Sequence, residues 1–213
     1  MAPAQTSLLA KLDTQERVRD FLTNAVASGR ASHAYLFLGA PGAGKLDAAW
    51  ALAQAFLCEQ DGCGACDSCV RVARHTHPDV HYYTPESATG YLIAQTRELL
   101  DDVPLAPIRA KVKVYIIDRA EQLRANTANA LLKTLEEPPE GVMFILLGTS
   151  ADVMLPTIVS RTQRIYVPRI EEEDMVRVLT TRYGQTEEEA HSMAHRADGS
   201  FLKVLEMMGQ SGE

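Results

Sequence analysis

Apolar positions along this chain recur in two registers. Val18, Phe21, Leu22, Ala25 and Val26 follow the i, i+3, i+4 spacing of an amphipathic helix. Asp13 or Thr14 is its expected cap and Gly29 its close. Residues 34–38 form a short continuous apolar run, the pattern of a strand buried on both faces of a parallel sheet. A glycine-rich turn at 39–44 leads into an alanine-rich helix over 45–57. Further strands are predicted at 79–83, 112–117, 142–147 and 163–167, and helices at 92–100 and 126–136, the last stopped by Pro138 and Pro139. Strands alternating with helices imply an α/β domain with a mainly parallel sheet. After residue 171 only helical periodicity remains, at 175–183, 186–197 and 200–208. The expected organisation is an α/β domain over 1–168 and a small helical domain over 169–213, with a frayed end at 209–213.

Composition narrows the function classes. The chain has 213 residues, 46% of them hydrophobic, which suits a globular protein with a real core. No run of about 18 apolar residues occurs, so no membrane span is expected. The first residues lack the basic patch and apolar run of a secretory signal, and a cytoplasmic location is the expectation. The formal net charge is -7; residues 169–213 carry ten acidic and five basic side chains, whereas the first 168 are near balance. A protein that grips DNA alone would be strongly basic, so nucleic-acid contact is expected only through partners.

Two constellations carry chemistry. Residues 39–45, Gly-Ala-Pro-Gly-Ala-Gly-Lys, match G-x-x-x-x-G-K between a predicted strand and helix. Gly39, Gly42 and Gly44 would let backbone N–H groups converge on phosphate oxygens, with Lys45 and the helix N-terminus adding positive charge. The next residue should carry the hydroxyl that holds Mg²⁺; it is Leu46. Asp118 ends an apolar strand, where a Walker B aspartate would stand, but Arg119 follows it and Glu121 lies three residues on, where it could cap the next helix. The site therefore departs from an active ATPase at two places, and ATP with Mg²⁺ is not expected to be turned over. Nucleotide binding without turnover, or a relic loop, both stay open. The second constellation is Cys58, Cys63, Cys66 and Cys69, spaced C-x4-C-x2-C-x2-C. Four thiolates complete a tetrahedral shell for a structural Zn²⁺ and leave no open position. His75, His77 and His81 lie close in sequence as competing ligands, and the cluster's flanking Arg71 and Arg74 are too few for a zinc-based DNA binder.

Several motifs together resemble one family. They are residues 33–39 (His-Ala-Tyr-Leu-Phe-Leu-Gly), 129–139 (Asn-Ala-Leu-Leu-Lys-Thr-Leu-Glu-Glu-Pro-Pro) and 155–162 (Leu-Pro-Thr-Ile-Val-Ser-Arg-Thr). They resemble the AAA+ subunits of bacterial DNA polymerase III clamp loaders, over roughly residues 14–205. The resemblance implies a P-loop sheet domain with a zinc-binding insert and a helical lid. It implies partners too: gamma/tau and delta subunits in a hetero-pentamer, with sliding clamp and primer-template DNA reached through the complex. Ser160-Arg161-Thr162 matches the family's Ser-Arg-Cys motif except in its last residue, which implies that Arg161 enters a neighbour's ATP site. The alternative for Arg161 is a structural ion pair. Thr149 and Ser150 match the sensor 1 region and Lys203 lies near sensor 2, although residues of the first kind also form turns. Leu46, Arg119 and the short spacing from Cys58 to Cys63 favour the delta-prime type over an active gamma/tau-type ATPase. Such subunits carry a third, helical collar domain that the resemblance does not reach, so a fragment with weak self-assembly is expected. A free-standing phosphoryl-transfer enzyme would need a metal-binding hydroxyl and a substrate lid, and neither is found in the sequence.

Overall fold

A computed structural model describes residues 7–12, 14–28, 31–88, 90–123 and 125–209, with the backbone alone at 125–127 and 129. Asp13, Gly29 and the end segment 210–213 lie outside the described residues; the first helix, Glu16–Ala27, has Gln15 as its N-cap with no side-chain cap bond, so Thr14 does not cap it, and Ser28 as its C-cap. Five strands form one parallel sheet: β1 Ala34–Leu38, β2 Val80–Tyr83, β3 Lys113–Ile117, β4 Val142–Gly148 and β5 Gln163–Tyr166, in the order β2-β3-β4-β1-β5. Helices α1 Glu16–Ala27, α2 Lys45–Leu57, α3 Asp67–Ala73, α4 Ile93–Asp102, α5 Ala125–Glu136 and α6 Pro156–Val159 cover it, and α7 Glu172–Tyr183, α8 Glu187–Ala197 and α9 Phe201–Met207 follow.

The central strands are buried on both faces, as their unbroken apolar runs require. Side chains alternate between two cores with the period-2 geometry of a strand. Tyr35, Phe37, Val114, Ile116, Ile145 and Leu147 face α1 and α2. Leu36, Leu38, Tyr115, Ile117, Phe144 and Leu146 face α4 and α5. Helix α2 is almost wholly buried, which explains its alanines: Ala48, Ala49, Ala51, Ala53 and Ala55 let it lie close between the sheet and its helical neighbours. A third cluster, around Met175, Leu179, Ala190, Ala194 and Val204, joins α7, α8 and α9. Helix α7 begins three residues before its apolar periodicity does, with Glu172, Glu173 and Asp174 in its first turn, where acidic side chains complement the helix dipole. Helix α8 is capped by Thr186 and Glu189, which bond each other's backbone N–H groups.

Helices α3 and α6 were not predicted; both are too short to show a period. Asp79, read as the first residue of a strand, has a different task. It is fully buried, and its carboxylate accepts the N–H groups of Ile108 (2.5 Å), Arg109 (2.8 Å) and Ala110 (2.8 Å). Burial alone would raise its pKa, but these donors outweigh burial and hold it below the ordinary carboxylate value. Its stabilising effect is therefore full above the unfolded carboxylate pKa and lost as pH falls through the lower folded value. Asp79→Ala strands three donors, and urea unfolding at pH 7 should show a loss of about 3 kcal/mol. The difference from the parent should shrink as the pH is taken down through the acid range.

Candidate functional site

The phosphate loop runs from the end of β1 to the start of α2, and its shape is set by close packing. A Cβ on Gly39 would stand 2.2 Å from the carbonyl oxygen of Val167, so no larger residue fits without moving the backbone. Gly42 has φ +77°, and a Cβ there would meet Ser200 Oγ at 1.9 Å. The turn before α9 thus rests on the loop, and the Phe201 N–H donates to the Gly42 carbonyl at 3.2 Å. Gln15, which has no sequence signal at all, donates its side-chain amide to the carbonyls of Ala43 and, at 3.2 Å, Pro168. Gly44, with φ +86°, is the N-cap of α2.

Lys45 folds back on this loop. Its Nζ donates to the carbonyls of Gly39 at 2.6 Å and Ala40 at 2.8 Å. Burial draws its pKa below the ordinary lysine value, and the charges of Asp118 and Glu121 oppose that shift. Those two carboxylates therefore act on the lysine electrostatically. Leu46 packs against the core on the α1–α2 side of the sheet and offers no oxygen to a metal.

The residues after Asp118 are turned by Arg119, which sits in the left-handed region at φ +44°. The Arg119 guanidinium donates to Thr84 Oγ1 at 2.8 Å and approaches Asp118 Oδ2 at 3.6 Å. Tyr91 Oη lies 2.6 Å from the Asp118 carbonyl and 2.9 Å from that of Tyr83, fixing the backbone at the strand end. Glu121 lies in the 3-10 turn Ala120–Gln122, and Thr149 Oγ1 donates to its Oε1 at 3.4 Å. The structure thus pairs with Thr149 the carboxylate that was read as a helix cap. Its Oε2 is buried with no partner among the described residues. Lys203 is exposed, and its N–H is bonded to Ser200 Oγ at 3.5 Å.

Arg161 stands apart from this loop, just after α6. It is ion-paired with Glu136, and its Nη1 donates to the Thr157 carbonyl at 3.0 Å and Ser160 Oγ at 3.2 Å. The ion-pair alternative raised from the sequence is therefore present within this chain.

Cys58, Cys63, Cys66 and Cys69 bring their sulfurs within 4.8 Å of one another. Cys63 and Cys69 are 3.9 Å apart, Cys58 and Cys66 3.8 Å. A tetrahedron with Zn–S bonds of about 2.3 Å has edges of about 3.8 Å, so the four thiols fit such an ion. The N–H groups of Ala65 and Cys66 help hold the Cys63 thiol down at about 6, whereas burial pushes the thiols of Cys66 and Cys69 up. Cys66 also caps α3, its Sγ accepting the Cys69 N–H at 3.4 Å. Gln54, on α2, donates to the Cys69 carbonyl at 3.0 Å and so ties the cluster to the sheet's covering helix. The three nearby histidines are engaged elsewhere: His75 stacks on Trp50 at 4.0 Å, His77 Nδ1 accepts the Asp79 N–H, and His81 faces Asp102 at 3.4 Å.

A family model described as DNA polymerase III, delta subunit, matches residues 14–171. The chain is similar to DNA polymerase III subunit delta' of Bacillus subtilis, 40% identical over 156 residues, covering 72% of this chain and 47% of that protein. It is also similar to DNA polymerase III subunit tau of Escherichia coli, 36% identical over 207 residues, 92% of this chain and 32% of that protein. The chain thus spans about half the length of the first relative and a third of the second. Among solved structures, a DNA polymerase III gamma subunit-related protein from Thermotoga maritima superposes with TM-score 0.53 at 22% identity, over 84% of this chain and 60% of that one. The RuvB Holliday junction branch migration motor of Thermotoga maritima superposes with TM-score 0.64 at 14% identity, over 97% and 64%. These identities speak for the fold alone, which is the P-loop AAA+ sheet. No helix among the described residues is long and apolar enough to cross a membrane.

Proposed function

This chain belongs to the family of DNA polymerase III delta subunits, and on that footing we propose that it is a delta-prime-type clamp-loader subunit that does not hydrolyse ATP itself. In this reading residues 1–168 form the AAA+ domain and 169–213 a helical lid, and the protein works in the cytoplasm. It assembles with gamma/tau and delta subunits, and through them serves the sliding clamp and primed DNA. Its catalytic contribution is Arg161, placed in the ATP site of a neighbour to balance charge on the transferred phosphoryl group. Gly39, Gly42, Gly44, Lys45 and Asp118 keep the shape of a nucleotide site that has lost turnover. Zn²⁺ on the four cysteines holds the insert together.

The observation that carries this reading is Leu46. It is half-buried against the core and carries no oxygen where a metal-binding hydroxyl is needed, and metal is the main neutraliser of phosphate charge in this chemistry. Arg119 supports it, since it occupies the position where a water-polarising glutamate would stand and is bonded to Thr84.

A second reading, an active gamma/tau-type ATPase, is favoured by two observations. The phosphate loop is complete through Lys45, and the tau relative aligns over 92% of the chain. Turnover separates the two. The chain with ATP and Mg²⁺ is expected to release no phosphate above background. Leu46→Thr is expected to stay inactive as well, because Arg119 is a second defect. Clear phosphate release by the parent chain, abolished by Lys45→Ala, would make the motor the better assignment.

A further inference from the structure

Arg161 is already occupied within its own chain. Its guanidinium is ion-paired with Glu136 and donates to the Thr157 carbonyl and the Ser160 hydroxyl. These are oxygen acceptors of the kind a phosphate tail would offer, since a guanidinium fork suits carboxylate and phosphate alike. The two partners belong to different elements. Glu136 is the last residue of α5, and Arg161 follows α6, which packs on α5. The carboxylate stands at a helix C-terminus, where carbonyl ends also favour a cation. Both side chains keep solvent access, 33% for Arg161 and 49% for Glu136. An exposed pair of this kind is weak and exchanges readily, unlike a buried one.

We propose that Glu136 is a positioning residue that latches Arg161 in cis, and that the polyphosphate of a nucleoside triphosphate on the neighbouring subunit displaces it. This inference rests on the reading of Arg161 as a trans arginine. A triphosphate carries more charge and more acceptor oxygens than one carboxylate. It therefore wins the arginine once the neighbour is docked and loaded, and loses it when the subunits separate. The latch keeps Arg161 folded along its own surface until then, which suppresses hydrolysis in loosely assembled complexes.

The test uses the full-length subunit, alone and assembled with an ATP-hydrolysing gamma-type partner. In the subunit alone, phenylglyoxal modification of Arg161 is followed by mass spectrometry of its peptide. Glu136→Gln is expected to speed that modification by roughly two- to fivefold, the scale of an exposed ion pair. Glu140→Gln, which removes the same charge from an exposed neighbouring position, is expected to leave it unchanged. In the assembled loader, Glu136→Gln should raise the basal ATPase rate, measured without clamp or DNA, by a similar factor. It should lower the KM for ATP while leaving the fully stimulated kcat in place, and Glu136→Asp should restore parental behaviour. A basal rate and an Arg161 reactivity that Glu136→Gln leaves unmoved, or lowers, would overturn the latch. The underlying reading is checked in the same series by Arg161→Ala. If that variant leaves the neighbour's hydrolysis intact, the trans arginine itself fails and the latch with it. If it abolishes hydrolysis while Glu136→Gln changes nothing, only the latch fails.

Discussion

Replacing Arg161 with alanine is expected to slow ATP hydrolysis at the neighbouring site by on the order of 10³-fold in the assembled loader, the lower end for an arginine supplied in trans. That factor corresponds to about 4 kcal/mol of transition-state stabilisation. The loss should fall mainly on kcat, because charge on the transferred group grows toward the transition state and only interactions stronger there accelerate the step. Arg161→Lys should recover little, since an ammonium point charge cannot make the guanidinium's paired donor geometry. The folded subunit should be nearly indifferent to either change. The Glu136 pair that Arg161 makes in its own chain is solvent-exposed, and such pairs contribute about 0–1 kcal/mol. Steady-state hydrolysis by the loader, with thermal unfolding of the subunit as the companion measurement, checks both halves. A loss of stability that matched the loss of rate would assign Arg161 a purely structural role.

Zinc removal is expected to have the largest effect on the fold. Elemental analysis should find one Zn²⁺ per chain. Cys69→Ser or exhaustive chelation should lower stability by about 3–5 kcal/mol, comparable to losing a native staple. For a chain of this size that is roughly a 10 °C fall in Tm. The cost should exceed that of one ligand because the cluster does not stand alone. Cys66 caps α3, and Gln54 connects α2 to the Cys69 carbonyl while its Oε1 accepts the Leu8 N–H. Metal loss should therefore loosen α3 and the packing of residues 8–12 together, visible as faster amide exchange in both. A metal-free preparation with unchanged Tm would show that the four thiols pack without an ion.

The α/β sheet was legible in the sequence because its strands are buried on both faces and so read as continuous apolar runs, and because glycine and proline mark its turns. The phosphate loop and the cysteine cluster were legible because local spacing carries their chemistry. What escaped notice depends on partners distant in the chain. Gln15 reaches Pro168, Asp79 organises residues 108–110, Thr149 meets Glu121, and Arg161 meets Glu136. Motif spacing marks Arg161 and Thr149 but not the partner each meets, and periodicity says nothing about contacts between segments so far apart in the chain. Leu46 was legible as a substitution; that it packs half-buried against the core required the structure.

One paired measurement addresses the central claim, that this subunit gives an arginine to a neighbour's site without hydrolysing ATP at its own. Two loaders are assembled with gamma-type partners, one carrying Lys45→Ala in this subunit and the other Arg161→Ala, and stimulated ATP hydrolysis is compared with the parent complex. Lys45→Ala is expected to leave the rate near parental, and Arg161→Ala to cut it heavily. The reverse pattern, with hydrolysis falling on loss of Lys45 and surviving loss of Arg161, would contradict the claim.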